Sequence, residues 1–117
     1  MNIQVYTDNH TPGSVELKRH VEEVVERALE RYGDRITRVE VHLADQDSSQ
    51  KYGERDKRCL MEARLAGLQP IAVSHEGATL DQAIDGAADT LQKTIQRTLE
   101  RRTDAKRTPA PEVEPLL

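Results

Sequence analysis

Residues 2–7, Asn2-Ile3-Gln4-Val5-Tyr6-Thr7, alternate along the chain with Ile3 and Val5 on one face, the period-two signature of a half-buried strand. A turn-rich stretch from Asp8 to Gly13 follows. Ser14 then stands where its hydroxyl can accept from an amide of an unsatisfied first helical turn. A capping box would need Glu or Gln three residues later; Leu17 stands there, so the box is absent. From Val15 the apolar positions run Leu17, Val21, Val24, Val25, Ala28, Leu29 and Tyr32. That i, i+4, i+7 rhythm predicts one apolar stripe on a helix of about five turns. Gly33 is expected to end it in the left-handed conformation that glycine adopts at helix C-termini.

Ile36 to Ala44 predicts a second strand, with Val39, Val41 and Leu43 inward and Arg38, Glu40 and His42 outward. Asp45 to Glu54 is a polar connection, expected to be mobile. Asp56 to Ala66 alternates again, with Cys59, Met61, Ala63 and Leu65 inward and Arg58, Glu62 and Arg64 outward. Gly67 to Pro70 forms a short turn, and Ile71 to Glu76 returns with Ile71 and Val73 inward, so these three strands favour an antiparallel meander. A second helix is expected from about Thr79, its N-cap, with Asp81 near the positive helix end. Leu80, Ala83, Ile84, Ala87, Leu91, Ile95 and Leu99 form its stripe. After Arg102 the pattern fades, which places the domain at residues 1–102. Residues 103–117, with Pro109, Pro111 and Pro115, are expected to be a disordered Pro-rich tail. One stripe per helix and one apolar face per strand predict an α+β domain of order β-α-β-β-β-α. Its four-stranded sheet would carry both helices on one face.

Composition sharpens this picture. The 117 residues suit a single domain, and with three Tyr and no Trp or Phe the core must be aliphatic. No run approaches the roughly 18–20 apolar residues of a membrane span, and the N-terminus lacks a signal-peptide pattern. The lone cysteine, Cys59, excludes an intramolecular disulfide and fits a reducing compartment, so a cytoplasmic protein is expected. The net charge of −4 speaks against nucleic-acid binding by the chain as a whole. Its distribution speaks differently. Residues 1–50 hold six Lys/Arg against ten Asp/Glu, whereas residues 91–107 hold six against two, so the molecule is polarised. The helix macrodipole also favours cations near a C-terminus, a purely structural reason for them.

No P-loop, Gly-x-Gly-x-x-Gly or Gly-x-Ser-x-Gly pattern is present. Cys59 falls on an inward strand face, where it acts as a small hydrophobe. His10, His20, His42 and His75 lack metal-ligand spacing. No catalysis, cofactor, metal or small-molecule substrate is therefore expected. The remaining candidate is the basic end of the second helix. Lys93, Arg97 and Arg101, four residues apart, make one row, with Arg102 beside them. The row could meet successive backbone phosphates. It lacks the aromatic platforms used to read unpaired bases, so it would read RNA by shape and phosphate.

Several segments together resemble the short form of the bacterial ribosome hibernation-promoting and ribosome-associated inhibitor family. The resemblance covers about residues 1–102. It rests on Gly33-Asp34-Arg35-Ile36 leading into Val39-Glu40-Val41-His42-Leu43, and on Arg58-Cys59-Leu60-Met61-Glu62-Ala63-Arg64. Ile71-Ala72-Val73-Ser74-His75-Glu76 and Leu80-Asp81-Gln82-Ala83-Ile84-Asp85 complete the series. It implies a fold similar to double-stranded RNA-binding domains. It also implies a stress-related, non-catalytic protein that binds the small ribosomal subunit and its rRNA, between head and body. There it would cover the mRNA channel and tRNA sites and so hold an idle ribosome inactive. By position, the implied rRNA contacts are Lys93, Arg97, Arg101 and Arg102 on the second helix and Lys18, Arg19, Arg27 and Arg31 on the first. The family often carries lysine where this chain has Thr90, and Glu22, Glu23, Glu26 and Glu30 leave the first helix without a basic surplus. These departures point to the alternative, a divergent stress-related protein-interaction module that no longer binds ribosomes.

Overall fold

In a computed structural model the chain is described at residues 1–8, 11, 13–45 and 57–107, with side chains as far as Arg102. Strand β1 (Asn2–Thr7) leads to helix α1 (Val15–Leu29), then β2 (Ile36–Asp45), β3 (Lys57–Leu65), β4 (Ile71–Gly77) and helix α2 (Leu80–Arg107). The sheet has the order β1-β2-β3-β4. β2, β3 and β4 form the expected antiparallel meander, and β1 joins the edge parallel to β2. The fold is thus the expected α+β arrangement with both helices on one sheet face. Of the predicted connection, residues 46–54 lie outside the described residues, as do residues 108–117 of the predicted tail, whereas residues 103–107 of that tail continue α2.

A single apolar layer holds the sheet and the helix pair together. Val39, Val41 and Leu43 of β2 and Cys59, Met61, Ala63 and Leu65 of β3 supply the floor. Val21, Val25 and Leu29 of α1 and Ala83, Ile84, Ala87, Leu91 and Ile95 of α2 close over it, all of them buried. Burial of each Val, Leu or Ile here contributes about 1.5–3 kcal/mol. Ile3 and Val5 of β1 and Ile71 and Val73 of β4 pack against its margins.

Strict alternation would turn Ile36 outward, since it lies three residues before Val39. Both are buried, because the register of β2 against β3 shifts between Ile36 and Arg38. The irregularity takes up one residue and returns Ile36 to the core face.

The helix starts are built from local chemistry. Ser14 Oγ accepts from the Leu17 amide at 3.0 Å, the expected N-cap of α1. Thr79 Oγ1 accepts from the Gln82 amide at 3.1 Å, and Gln82 Oε1 reaches back to the Ala78 amide at 3.0 Å. This reciprocal pair, akin to a capping box, satisfies two donors at the start of α2.

The end of α1 differs from expectation. Gly33 has φ −55° and ψ −38°, right-handed rather than left-handed. The chain tightens into a 3₁₀ turn at Glu30–Tyr32 and leaves through the bonds Gly33 N–H to Glu30, Arg35 N–H to Tyr32 and Ile36 N–H to Gly33. Successive tight turns of this kind need right-handed dihedrals. Among the described residues the left-handed glycine is Gly67, φ +78°, in the β3–β4 turn.

Two close fits generate expected outcomes. A Cβ at Gly86 would land within the His75 ring, so this mid-helix glycine lets β4 carry an imidazole against α2. Gly86→Ala alone should gain nothing or lose stability. In a His75→Ala background the same change should stabilise by about 0.5–1 kcal/mol, the ordinary helix preference of Ala over Gly. Urea unfolding of the four proteins in the cycle measures this, and equal effects in both backgrounds would refute the fit. Burial also pushes the Cys59 thiol up from 9.0 to about 12. At pH 8 a soluble disulfide reagent should therefore modify the folded chain far more slowly than the unfolded one. Because the unfolded thiol ionises first, the same shift removes stability only as pH rises above about 9.

Candidate nucleic-acid interface

Lys93, Arg97 and Arg101 project from successive turns of α2, all exposed, while Leu91 and Ile95 of the same turns are buried. Lys93 Nζ lies 3.1 Å from Asp89 Oδ2, and the two side chains are 60% and 62% exposed. An exposed i, i+4 pair of this kind is worth about 0.3–0.5 kcal/mol, so a phosphate can take the lysine from Asp89 at little cost. Beside this row runs a neutral one. The hydroxyls of Thr94 and Thr98 donate to the carbonyls of Thr90 and Thr94, each at 2.8 Å. Thr90, where the resembling family often has lysine, thus serves as a backbone acceptor within a self-satisfied threonine row.

Arg102 does not continue the row. It follows Leu99 by three residues, at the position where the buried stripe would go on, and turns towards the end of the sheet. It lines one crevice of about 380 Å³ with Arg101, Leu68, Pro70 and Ile71. It lines a second, of about 260 Å³, with Asp34, Arg35, Leu65 and Leu99. Arg35, exposed in the α1–β2 connection, is a basic residue that motif reading passed over. Its only sequence signal is position, since any residue just after the first helix ends beside the C-terminal part of the second.

The strand directions explain that meeting. With β1 and β2 parallel, α1 must run back against them; β4 is also parallel to β2, so α2 runs back in the same direction as α1. Both helix C-termini therefore share one end of the domain. Arg27 and Arg31 of α1, exposed, join Arg97, Arg101, Arg102 and Arg35 there, and Arg31 lies 5.6 Å from the centre of the Tyr32 ring. The macrodipole of α1 favours Arg27 in its last turn, whereas α2 runs on to Arg107 and its last turn lies beyond Arg97, Arg101 and Arg102. Lys18 and Arg19 are exposed but lie in the first turns of α1, at the opposite end. At that opposite end His20 Nε2 comes within 3.2 Å of Asp81 Oδ1 in a contact without hydrogen-bond geometry. Glu22, Glu23, Glu26 and Glu30 are exposed along α1.

The other sheet face carries no helix. Cross-strand partners there fall into rows: Asn2, Arg38 and Arg64; Gln4, Glu40, Glu62 and Ala72; Tyr6, His42, Leu60 and Ser74. Arg38 bonds Glu40 along β2, and His42 Nε2 lies 3.4 Å from the other oxygen of the same carboxylate. His42 and Arg38 together hold the Glu40 carboxyl below its usual range. Tyr6 and His42 stack, with ring centroids 4.8 Å apart and planes 17° from parallel. Among the described residues no group of His, Cys, Asp and Glu is arranged to hold a metal ion, and no helix is long and apolar enough to cross a membrane.

Comparison with known proteins places these features in context. The crystal structure of the Thermus thermophilus Protein Y N-terminal domain is similar, with 26% identity and a TM-score of 0.66 over 84% of this chain and 99% of that one. A ribosomal subunit interface protein from Coxiella burnetii shares the fold, with 18% identity and a TM-score of 0.64 over 86% of this chain and 99% of that one. None of the curated proteins compared gives a significant sequence match. The family described as sigma 54 modulation protein / S30EA ribosomal protein matches residues 4–103. With its fold shared by two such structures and nearly the whole described domain inside that match, the chain belongs to the sigma 54 modulation protein / S30EA ribosomal protein family.

Proposed function

We propose that this chain is a ribosome-associated translation inhibitor that lodges in the small subunit between head and body. There it lies on rRNA and covers the mRNA channel and the tRNA positions used in decoding. Family membership across residues 4–103 carries the proposal, and the gathering of Arg27, Arg31, Arg35, Arg97, Arg101 and Arg102 at one end of the domain supports it. Neither feature calls for catalysis. The action is occlusion: a small rigid body takes the space that mRNA and tRNA need.

Polarity reconciles the net charge of −4 with such a partner. Association with RNA depends on how many phosphates a surface neutralises and how many counterions it thereby releases, a local count and not a whole-molecule one. The basic end makes those contacts. Arg101 and Arg102, flanking the Leu68-Pro70-Ile71 crevice, give the contact a rigid footing at the end of the sheet. The row has no aromatic side chains on it, so this surface follows the shape of a folded RNA and its phosphates.

Sedimentation with purified ribosomes on sucrose gradients tests the proposal. The protein should travel with the small subunit at low salt and leave it as salt rises. Arg97→Glu combined with Arg101→Glu should weaken the association about tenfold or more and reduce its salt slope by about two. Unchanged association in the double variant would refute the assigned surface. Protein left at the top of the gradient at low salt would refute the function itself.

A further inference from the structure

The open sheet face holds a second feature that suits RNA in a different way. Tyr6 and His42, 36 residues apart in sequence, are made neighbours by the parallel β1–β2 register and present their stacked rings on the surface, Tyr6 at 44% exposure. Leu60, opposite His42 on β3, extends the row across a third strand. Next to it the face dips into a cavity of about 310 Å³, lined by Tyr6, His42, Leu60, Ala44, Arg58 and Asp8 among others. That volume lies at the lower end of the range of about 300–1,000 Å³ for small-ligand clefts.

The charges around the cavity select its occupant. Elsewhere on this face arginines are paired along their strands, Arg38 with Glu40 and Arg64 with Glu62. Arg58 makes no ion pair among the described residues. It lines the cavity, whereas its cross-strand neighbour Glu76 does not. Asp8 at the rim has one carboxylate oxygen engaged by the Asp45 amide at 3.1 Å. A stacked pair of rings beside an apolar step and an unpaired guanidinium matches a planar base joined to a phosphate. Glu40, which does not line the cavity, lies 3.4 Å from His42 Nε2.

We propose that Tyr6, His42 and Arg58 form a binding site for an unpaired RNA strand, one base stacking on the ring pair and its phosphate meeting Arg58. The proposal deepens the ribosomal reading and rests on it for the identity of RNA as the partner. It adds a contact that reads bases on the face opposite the helices, which the basic end does not supply. A double-stranded segment cannot use this site, because its bases are stacked on one another.

Fluorescence anisotropy with a labelled hexa-adenylate ribonucleotide and the full chain, at low salt, tests it without the ribosome. Tyr6→Ala should weaken binding by about fivefold or more, and Tyr6→Phe should keep it, because stacking on the ring and not the hydroxyl is at issue. Arg58→Glu should weaken binding and reduce the salt slope by about one. Far-ultraviolet circular dichroism on each variant checks that the fold is kept. The site is refuted if the oligonucleotide fails to bind at low salt, if Tyr6→Ala binds as the parent does, or if Tyr6→Phe loses as much as Tyr6→Ala. Unchanged binding by Arg58→Glu would refute the phosphate contact. Equal affinity for adenosine monophosphate would mark a free-nucleotide pocket and overturn the strand. Preference for a peptide ligand over the oligonucleotide would overturn RNA altogether. The gradients separate this site from the ribosomal reading: loss of sedimentation with intact oligonucleotide binding removes the ribosome as partner, and the converse removes only the platform.

Discussion

The parallel pairing of β1 with β2 is the constraint on which the rest of the molecule turns. It obliges α1 to cross back over the sheet, and the antiparallel meander of β2, β3 and β4 then sends α2 back in the same direction. Two helices that point the same way bring the cations of their C-terminal halves together. The same pairing sets Tyr6 on His42. Both candidate RNA surfaces therefore follow from the direction of one six-residue strand.

The two-layer plan divides the labour between the faces. One sheet face is consumed by the core, where Val39, Val41, Cys59 and Met61 are fully buried beneath the helices. The other is left to water and to partners, and its rows of arginine and glutamate neutralise one another along their strands. Arg58 stands out against that background because it makes no ion pair among the described residues. On the helix side the logic is reversed. Lys93 is held by an exposed pair with Asp89, and interactions that weak yield readily to a phosphate.

Much of the architecture was legible because it rests on period and on local chemistry. The alternation in β2 and β3, the stripe of α2 and the caps at Ser14 and Thr79 concern residues within a few positions of each other. Three features resisted. Gly33 was expected left-handed, but how a helix ends depends on the path the chain must take next, here a tight 3₁₀ exit into β2. The inward Ile36 depends on a register shift against β3, a partner 29 residues away in its pairing with Leu65. The helical pattern was expected to fade after Arg102, yet α2 runs on to Arg107.

The candidate sites divide in the same way. The row Lys93, Arg97 and Arg101 was visible in sequence because helical spacing alone puts those residues together. Arg35 and the Tyr6–His42 pair were not, since nothing near them in the chain signals their neighbours. By itself the sequence determined the elements, their apolar faces and the α+β order, because periodicity is a property of consecutive residues. Only the tertiary structure decided which end of the domain is basic and which rings touch, because those depend on strand direction and register between segments that sequence distance keeps apart.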